Sequence, residues 1–148
     1  MIKKLHHVCL SVSDIDRSTA FYRDIIGLTL LMQAEPCGEE MRALFNAPPG
    51  FKARSVVFAE GLEISQFVSP TGRESLNLKP WDIGAVFLAF EVTEFDNTYS
   101  NLVQKGVNFI SPPVTFQLPK PAGNTIRIVH LLGPDEERIS LIESVERW

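Results

Sequence analysis

A weak internal repeat constrains this chain more than any other feature. The segments "LSVSDIDRSTAFYRDIIGL" and "FEVTEFDNTYSNLVQKGV" share one template. Each opens on alternating apolar residues, Val8, Leu10 and Val12 in the first copy and Leu88, Phe90 and Val92 in the second. An acidic, hydroxyl-rich cap comes next, and then a helical pattern that stops at Gly27 or Gly106. In the first copy Ser13 or Asp14 can accept from the free N–H groups of the first helical turn; Thr93 and Asp96 take that place in the second. A repeat of this size makes the architecture two similar units in tandem.

Further strand signals come after each helix. They are "LTLLMQ", "ARSVVFAEG" and "LEISQFVS" in the first half, and "VNFIS", "TIRIVHLLG" and "RISLIES" in the second. All are rich in β-branched or large apolar residues and bounded by Gly or Pro. The expected fold is therefore α+β, with two tandem βαβββ modules whose curved mixed sheet surrounds a cleft. The whole chain, 1–148, is expected to be one domain, with module one at about 1–69, a linker at about 70–84 and module two at about 85–148. "EPCGEEMRALFNAPPGFK" and "SPPVTFQLPKPAGN" read as long loops. Such loops are either lids over a site or simply packed.

One helix on one face of a four-stranded sheet leaves the other face uncovered. Val8, Leu10 and Val12 suit the helix side, so His7, Cys9 and Ser11 are expected to point into the cleft. Phe87, Ala89 and Glu91 take those places in the second half. Composition excludes several alternatives. Hydrophobic residues make up 45% and charged residues 22%, with no apolar run near the length of about eighteen that a membrane span needs. A net charge of −4, with Lys and Arg scattered, gives no footprint for nucleic acid. Polar residues interrupt the N-terminal apolar stretch, so no signal peptide is expected and the expected location is cytoplasmic. Cys9 and Cys37 read as reduced thiols.

The runs "HVCLSVSDIDRSTAFYRDIIGL" with "LEISQFVSP", and "FLAFEVTEF" with "GPDEERISLIE", resemble the vicinal oxygen chelate superfamily. That superfamily includes glyoxalase I, methylmalonyl-CoA epimerase, bleomycin-resistance proteins and extradiol dioxygenases. The resemblance spans nearly the whole chain. It implies a divalent metal in the cleft, held by one residue near the start and one near the end of each module. His7 stands at the first histidine position and Glu63 at the first carboxylate position, so these two are the metal-ligating candidates. The second half departs from the pattern, with Phe87 and Ser140 where the family has its other two ligands. One imidazole and one carboxylate fall short of the three protein ligands typical of catalytic zinc. The expected cofactor is therefore none, or at most a weakly held divalent metal.

His130 is the third catalytic candidate beside His7 and Glu63. It is placed relative to Ser140 much as the active-site tyrosine of the extradiol dioxygenases is placed relative to the last glutamate. Its alternative is a strand-end histidine satisfied by a backbone carbonyl or solvent. Glu63 shares a strand face with Ser65 and Phe67, whereas a register slid by one residue would put Gln66 inside instead. Cys9, Ser11, Phe87, Ala89 and Ser140 are the candidate pocket lining. Cys9 is either a thiol activated by His7 or a small core filler, the latter being commoner. Phe45, Phe51, Phe116 and Trp81 line a pocket or belong to satellite cores. Phe21, Ile25 and Leu28 are expected to pin the first helix to its sheet, with Tyr22 and Arg23 in packing and surface roles.

The function these residues imply is enzymatic, of the glyoxalase-like isomerase, epimerase or lyase kind, acting on a small organic substrate by acid–base chemistry beside a degenerate metal site. The alternative is a metal-free protein that binds or sequesters a small molecule. The expected partners are that small molecule and a second copy of the chain, because open sheet edges are commonly covered by dimerisation; no nucleic acid or membrane is expected.

Overall fold

The computed structural model describes residues 1–73, 78–119 and 123–144. The chain divides into two compact units, Met1–Ser75 and Leu76–Trp148. Each contains one four-stranded mixed sheet. Among the described residues no helix is long and apolar enough to cross a membrane.

In the first unit β1 (Val8–Ser11) is followed by α1 (Ile15–Ala20), a π-helical segment (Phe21–Ile26) and β2 (Leu30–Ala34); a short α2 (Glu39–Leu44), β3 (Lys52–Phe58) and β4 (Leu62–Ser69) complete it. The spatial order is β1-β4-β3-β2, with β1 parallel to β4 and the other pairs antiparallel. Asp14 caps α1 by accepting from the N–H groups of Asp16 and Arg17, both at 3.0 Å. Gly27 ends the helical run at φ 92°, a left-handed conformation that costs glycine little. Tyr22 points fully inward, seven residues after Ile15 and on the same stripe as the buried Ser18 and Thr19, against Phe58 with ring centroids 6.1 Å apart, while Phe21, expected there, is half-buried. Ile15, Val56, Phe58, Leu62 and Ile64 are buried with it. Each such side chain contributes about 1.5–3 kcal/mol on burial. A six-residue helix is too short to persist alone, so this packing holds it in place.

The second unit runs β5 (Phe87–Glu91), α3 (Phe95–Gln104), β6 (Val114–Gln117), β7 (Thr125–Leu132) and β8 (Arg138–Ser144), in the order β5-β8-β7-β6. Leu88, Phe95, Leu102, Val129, Leu131, Ile139 and Leu141 are buried. Two expectations are corrected here. "VNFIS" forms only an isolated bridge, Phe109 to Leu131, while the segment read as a loop carries β6. Both stretches pair with β7, since Ile110 N donates to His130 O before the break and Val114 faces Ile128 after it. Pro112 and Pro113 remove two ladder donors and split one edge strand into two pieces. The cap of α3 also differs from expectation. Thr93 and Asp96 do not cap it; Glu143 of β8 accepts from Phe95 N at 3.0 Å, and Asp96 is taken by Arg127.

The two units share an internal frame on the helix side of each sheet. Arg54 of β3 binds Asp16 in the first turn of α1, and Arg127 of β7 binds Asp96 in the first turn of α3. Gln66 of β4 accepts from Ile15 N at 3.2 Å, as Glu143 of β8 does from Phe95 N. Both aspartates are held below their usual range, chiefly by the arginine hydrogen bonds.

Candidate active site

The frame decides which residues face away from the helices. Gln66 reaches α1 through two hydrogen bonds, to Ile15 N and Ser13 O, so residues one step away on β4 face the other side. Glu63 and Ser65 are those residues, and the alternative register with Gln66 inside is excluded. Cys9 pairs with Glu63 and Ser11 with Ser65 across the parallel β1–β4 ladder. Val8 and Val12 are half-buried and buried while Cys9 and Ser11 are exposed.

On this face the first unit carries a continuous polar chain. His7 Nε2 lies 3.2 Å from Glu63 Oε2. The Ser65 hydroxyl donates to Glu63 Oε1 at 3.3 Å, and receives Ser55 Oγ at 2.6 Å and Cys9 Sγ at 3.6 Å. An ionised carboxylate only accepts, so hydrogen-bond polarity runs toward Glu63 from both sides. That makes His7 Nε2 the protonated nitrogen. In the neutral ring Nδ1 is then the acceptor, and it meets His6 Nδ1 at 2.8 Å. Ser55 and Ser65 are buried, whereas the Glu63 side chain is 24% exposed and that of His7 39%. The carboxylate is thus gripped from below and open above.

Cys9 is neither a core filler nor an activated thiol. It is exposed, and its pKa is raised, chiefly by partial burial of the thiol and further by repulsion from Glu63, which outweigh its hydrogen bond with Ser65. Phe45, Phe51 and Phe67 form a cluster, with Phe51 buried and its ring stacked 5.2 Å from Phe45. Trp81 and Phe116 are exposed.

In the second unit Arg127 and Glu143 reach α3, so His130 and Ser140 lie on the sheet face away from that helix. They are directly paired across β7 and β8, and Ser140 Oγ is 2.9 Å from His130 Nδ1. Phe87 and Ala89 of β5 lie beside Arg138 and Ser140. The Phe87 ring sits 5.4 Å from the His130 ring. Ser140 is buried, and desolvation followed by repulsion from Arg138 lowers the His130 pKa, favouring the neutral imidazole. The structure therefore groups His7 with Glu63 in one unit and His130 with Ser140 and Phe87 in the other. Sequence reasoning missed the serine pair beneath Glu63. The alternation in "ARSVV" and "LEISQ" contains it, but strand register is not printed in sequence.

The residues present do not fit the four-donor metal site that the resemblance implies. His7 and Glu63 are two donors, the second unit offers an apolar ring and a neutral hydroxyl already bonded to His130, and among the described residues no three His, Cys, Asp or Glu side chains converge.

Comparison with known proteins agrees with this architecture. The chain is 27% identical over 145 residues to a 2-epi-5-epi-valiolone epimerase from Actinomyces sp, covering 93% of this chain and 78% of that protein. A glyoxalase family protein from Bacillus cereus superposes with a TM-score of 0.82 at 20% identity, over 99% of this chain and 97% of the other. A glyoxylase/bleomycin resistance protein/dioxygenase domain from Frankia sp. EAN1pec gives a TM-score of 0.62 at 22% identity, over 100% and 96% of the two chains. Residues 4–126 match the family described as Glyoxalase/Bleomycin resistance protein/Dioxygenase superfamily. With two βαβββ-type units and a family match across most of its length, this chain belongs to that superfamily.

Proposed function

We propose that the protein is an enzyme that moves a proton on a small organic substrate, as an isomerase, epimerase or lyase does, with Glu63 as the proton-transferring group and His7 as its partner. The observation that carries this reading is the His7 Nε2 to Glu63 Oε2 contact of 3.2 Å on the face free of helix. Glu63 keeps unused lone pairs toward solvent while Ser65 and His7 fix both of its oxygens. A carboxylate held in this way takes a proton from a substrate carbon or oxygen without losing its orientation, and the His7 N–H stabilises the charge between steps. In the second unit His130, a neutral imidazole anchored through Nδ1, presents Nε2 as a hydrogen-bonding group of that unit's own. The family, and a distant relative named as an epimerase, support the reaction class.

The test is a screen of small hydroxy- and keto-compounds in D₂O, read by deuterium incorporation and product formation. Glu63→Gln and His7→Ala each lower turnover by about 10²–10⁴-fold, the usual worth of a general acid or base, while ligand binding remains. Variants that keep full activity would sink the assignment. The second reading, metal-free sequestration, is favoured by Phe87, whose ring offers an apolar stacking surface beside His130. It predicts stoichiometric retention of a ligand that is recovered unchanged, so chemical conversion of a bound compound discards it.

A further inference from the structure

Arg138 stands out among the strand arginines. Arg54 and Arg127 each grip an aspartate, and Arg23 and Arg42 pair with Asp24 and Glu39. The guanidinium of Arg138 makes no ion pair or hydrogen bond among the described residues, although the residue is half-buried. It opens β8 on the face away from α3, directly between Phe87 of β5 and Leu132 of β7. Two residues further along, Ser140 holds His130 by Nδ1. Nearby acids are engaged or distant. Glu137 turns back to accept from Asp135 N at 2.8 Å, and Glu91, on the same face, lies four residues beyond Phe87 along β5, about 13 Å away.

A half-buried cation without a counter-ion is costly in a protein that pairs its other strand arginines, and an anionic ligand removes that cost. One guanidinium beside one neutral imidazole carries a single positive charge, which matches a monoanion. Its planar fork matches a carboxylate in bidentate fashion. The flanking Phe87 and Leu132 suit carbon rather than a fully hydrated inorganic ion. We propose that Arg138 and His130 recognise the carboxylate of a small organic acid, with Phe87 and Leu132 against its apolar part. The inference rests on the second unit's residues alone and goes beyond the reading above.

The chain has three histidines, so ¹⁵N-histidine spectra resolve His130 once His130→Gln assigns it. The full-length protein is titrated at constant ionic strength with benzoate, with the neutral isostere benzamide and with inorganic phosphate. The expected result is a saturable shift of the His130 ring with benzoate, weaker effects with the other two, and at least about tenfold weaker benzoate binding in Arg138→Met. Arg138→Lys, which keeps the charge but loses the fork, falls between. Circular dichroism checks that the variants are folded, and Arg138→Lys carries the comparison if Arg138→Met is not. Unchanged affinity in the folded variants, equal binding of benzamide or phosphate, or no saturable shift at all overturns the proposal. The titration needs no turnover, so it fails or succeeds independently of the Glu63→Gln activity test.

Discussion

Ser65→Ala tests the polar chain that supports Glu63. The Ser65 hydroxyl is the acceptor for Ser55 at 2.6 Å and for Cys9 at 3.6 Å, and the donor to Glu63 at 3.3 Å. The three losses differ in weight. Glu63 is open enough to recruit water in place of Ser65, and a thiol is a weak donor. Ser55 is buried, and its hydroxyl is left with nothing to bond. An orphaned buried hydroxyl costs about 1–3 kcal/mol, so the variant should lose about that much stability in urea titrations. Near this chain length each kcal/mol shifts Tm by roughly 2–4 °C. Ser55→Ala/Ser65→Ala removes both polar groups together and should recover part of the loss, with a coupling of about 0.5–3 kcal/mol. A single variant as stable as the parent, or a double variant showing the plain sum of the two single losses, would refute the buried connection.

The same geometry has other consequences. Ser18 is fully buried in α1 with no partner for its hydroxyl among the described residues, so Ser18→Ala should raise stability by about 1 kcal/mol, read as a higher urea midpoint. Glu143→Gln should leave stability nearly unchanged, because Gln66 performs the same capping in the first unit; Glu143→Leu should cost about 1 kcal/mol by chemical denaturation. His130 has a lowered pKa in the folded protein, so the unfolded chain binds the extra proton first as pH falls. Its contribution is therefore fully present above the ordinary histidine pKa and is lost as pH drops through the folded value. The drop in unfolding free energy between neutral and mildly acidic pH should be smaller in His130→Gln than in the parent.

The fold was legible because the repeat is written in side-chain type. Alternating apolar residues, hydroxyl-rich caps and terminal glycines leave marks that survive in one sequence. What was missed lay in the finer spacing of particular residues. Tyr22, seven residues after Ile15, takes the core position expected for Phe21, and the pair Pro112–Pro113 splits the edge strand so that Val114–Gln117 carries the ladder read into "VNFIS". The face of Glu63 was legible from the alternation Glu63, Ser65, Phe67. The pairing of His130 with Ser140 was not, because it depends on the register between two strands joined by the Gly133–Glu137 turn.

Matching the two ladders position by position shows how the duplicated units diverged. The parallel pairs Val8–Leu62 and Leu88–Ile139 are equivalent, which places Phe87 at the position of His7 and Ser140 at that of Glu63. The antiparallel pairs Val57–Glu63 and His130–Ser140 then place His130 at the position of Val57. Arg138 falls where the first unit has Gly61. The helix side keeps the same arginine–aspartate and strand-to-helix contacts in both units, because those contacts hold the helix to its sheet. The opposite face bears no such load, and there the two units differ as a set. An imidazole and an acid gave way to an apolar ring and a hydroxyl, while a valine and a glycine gave way to an imidazole and a cation. The second unit's face thus carries a hydroxyl, an imidazole and a cation where the first carries an acid, a valine and a glycine.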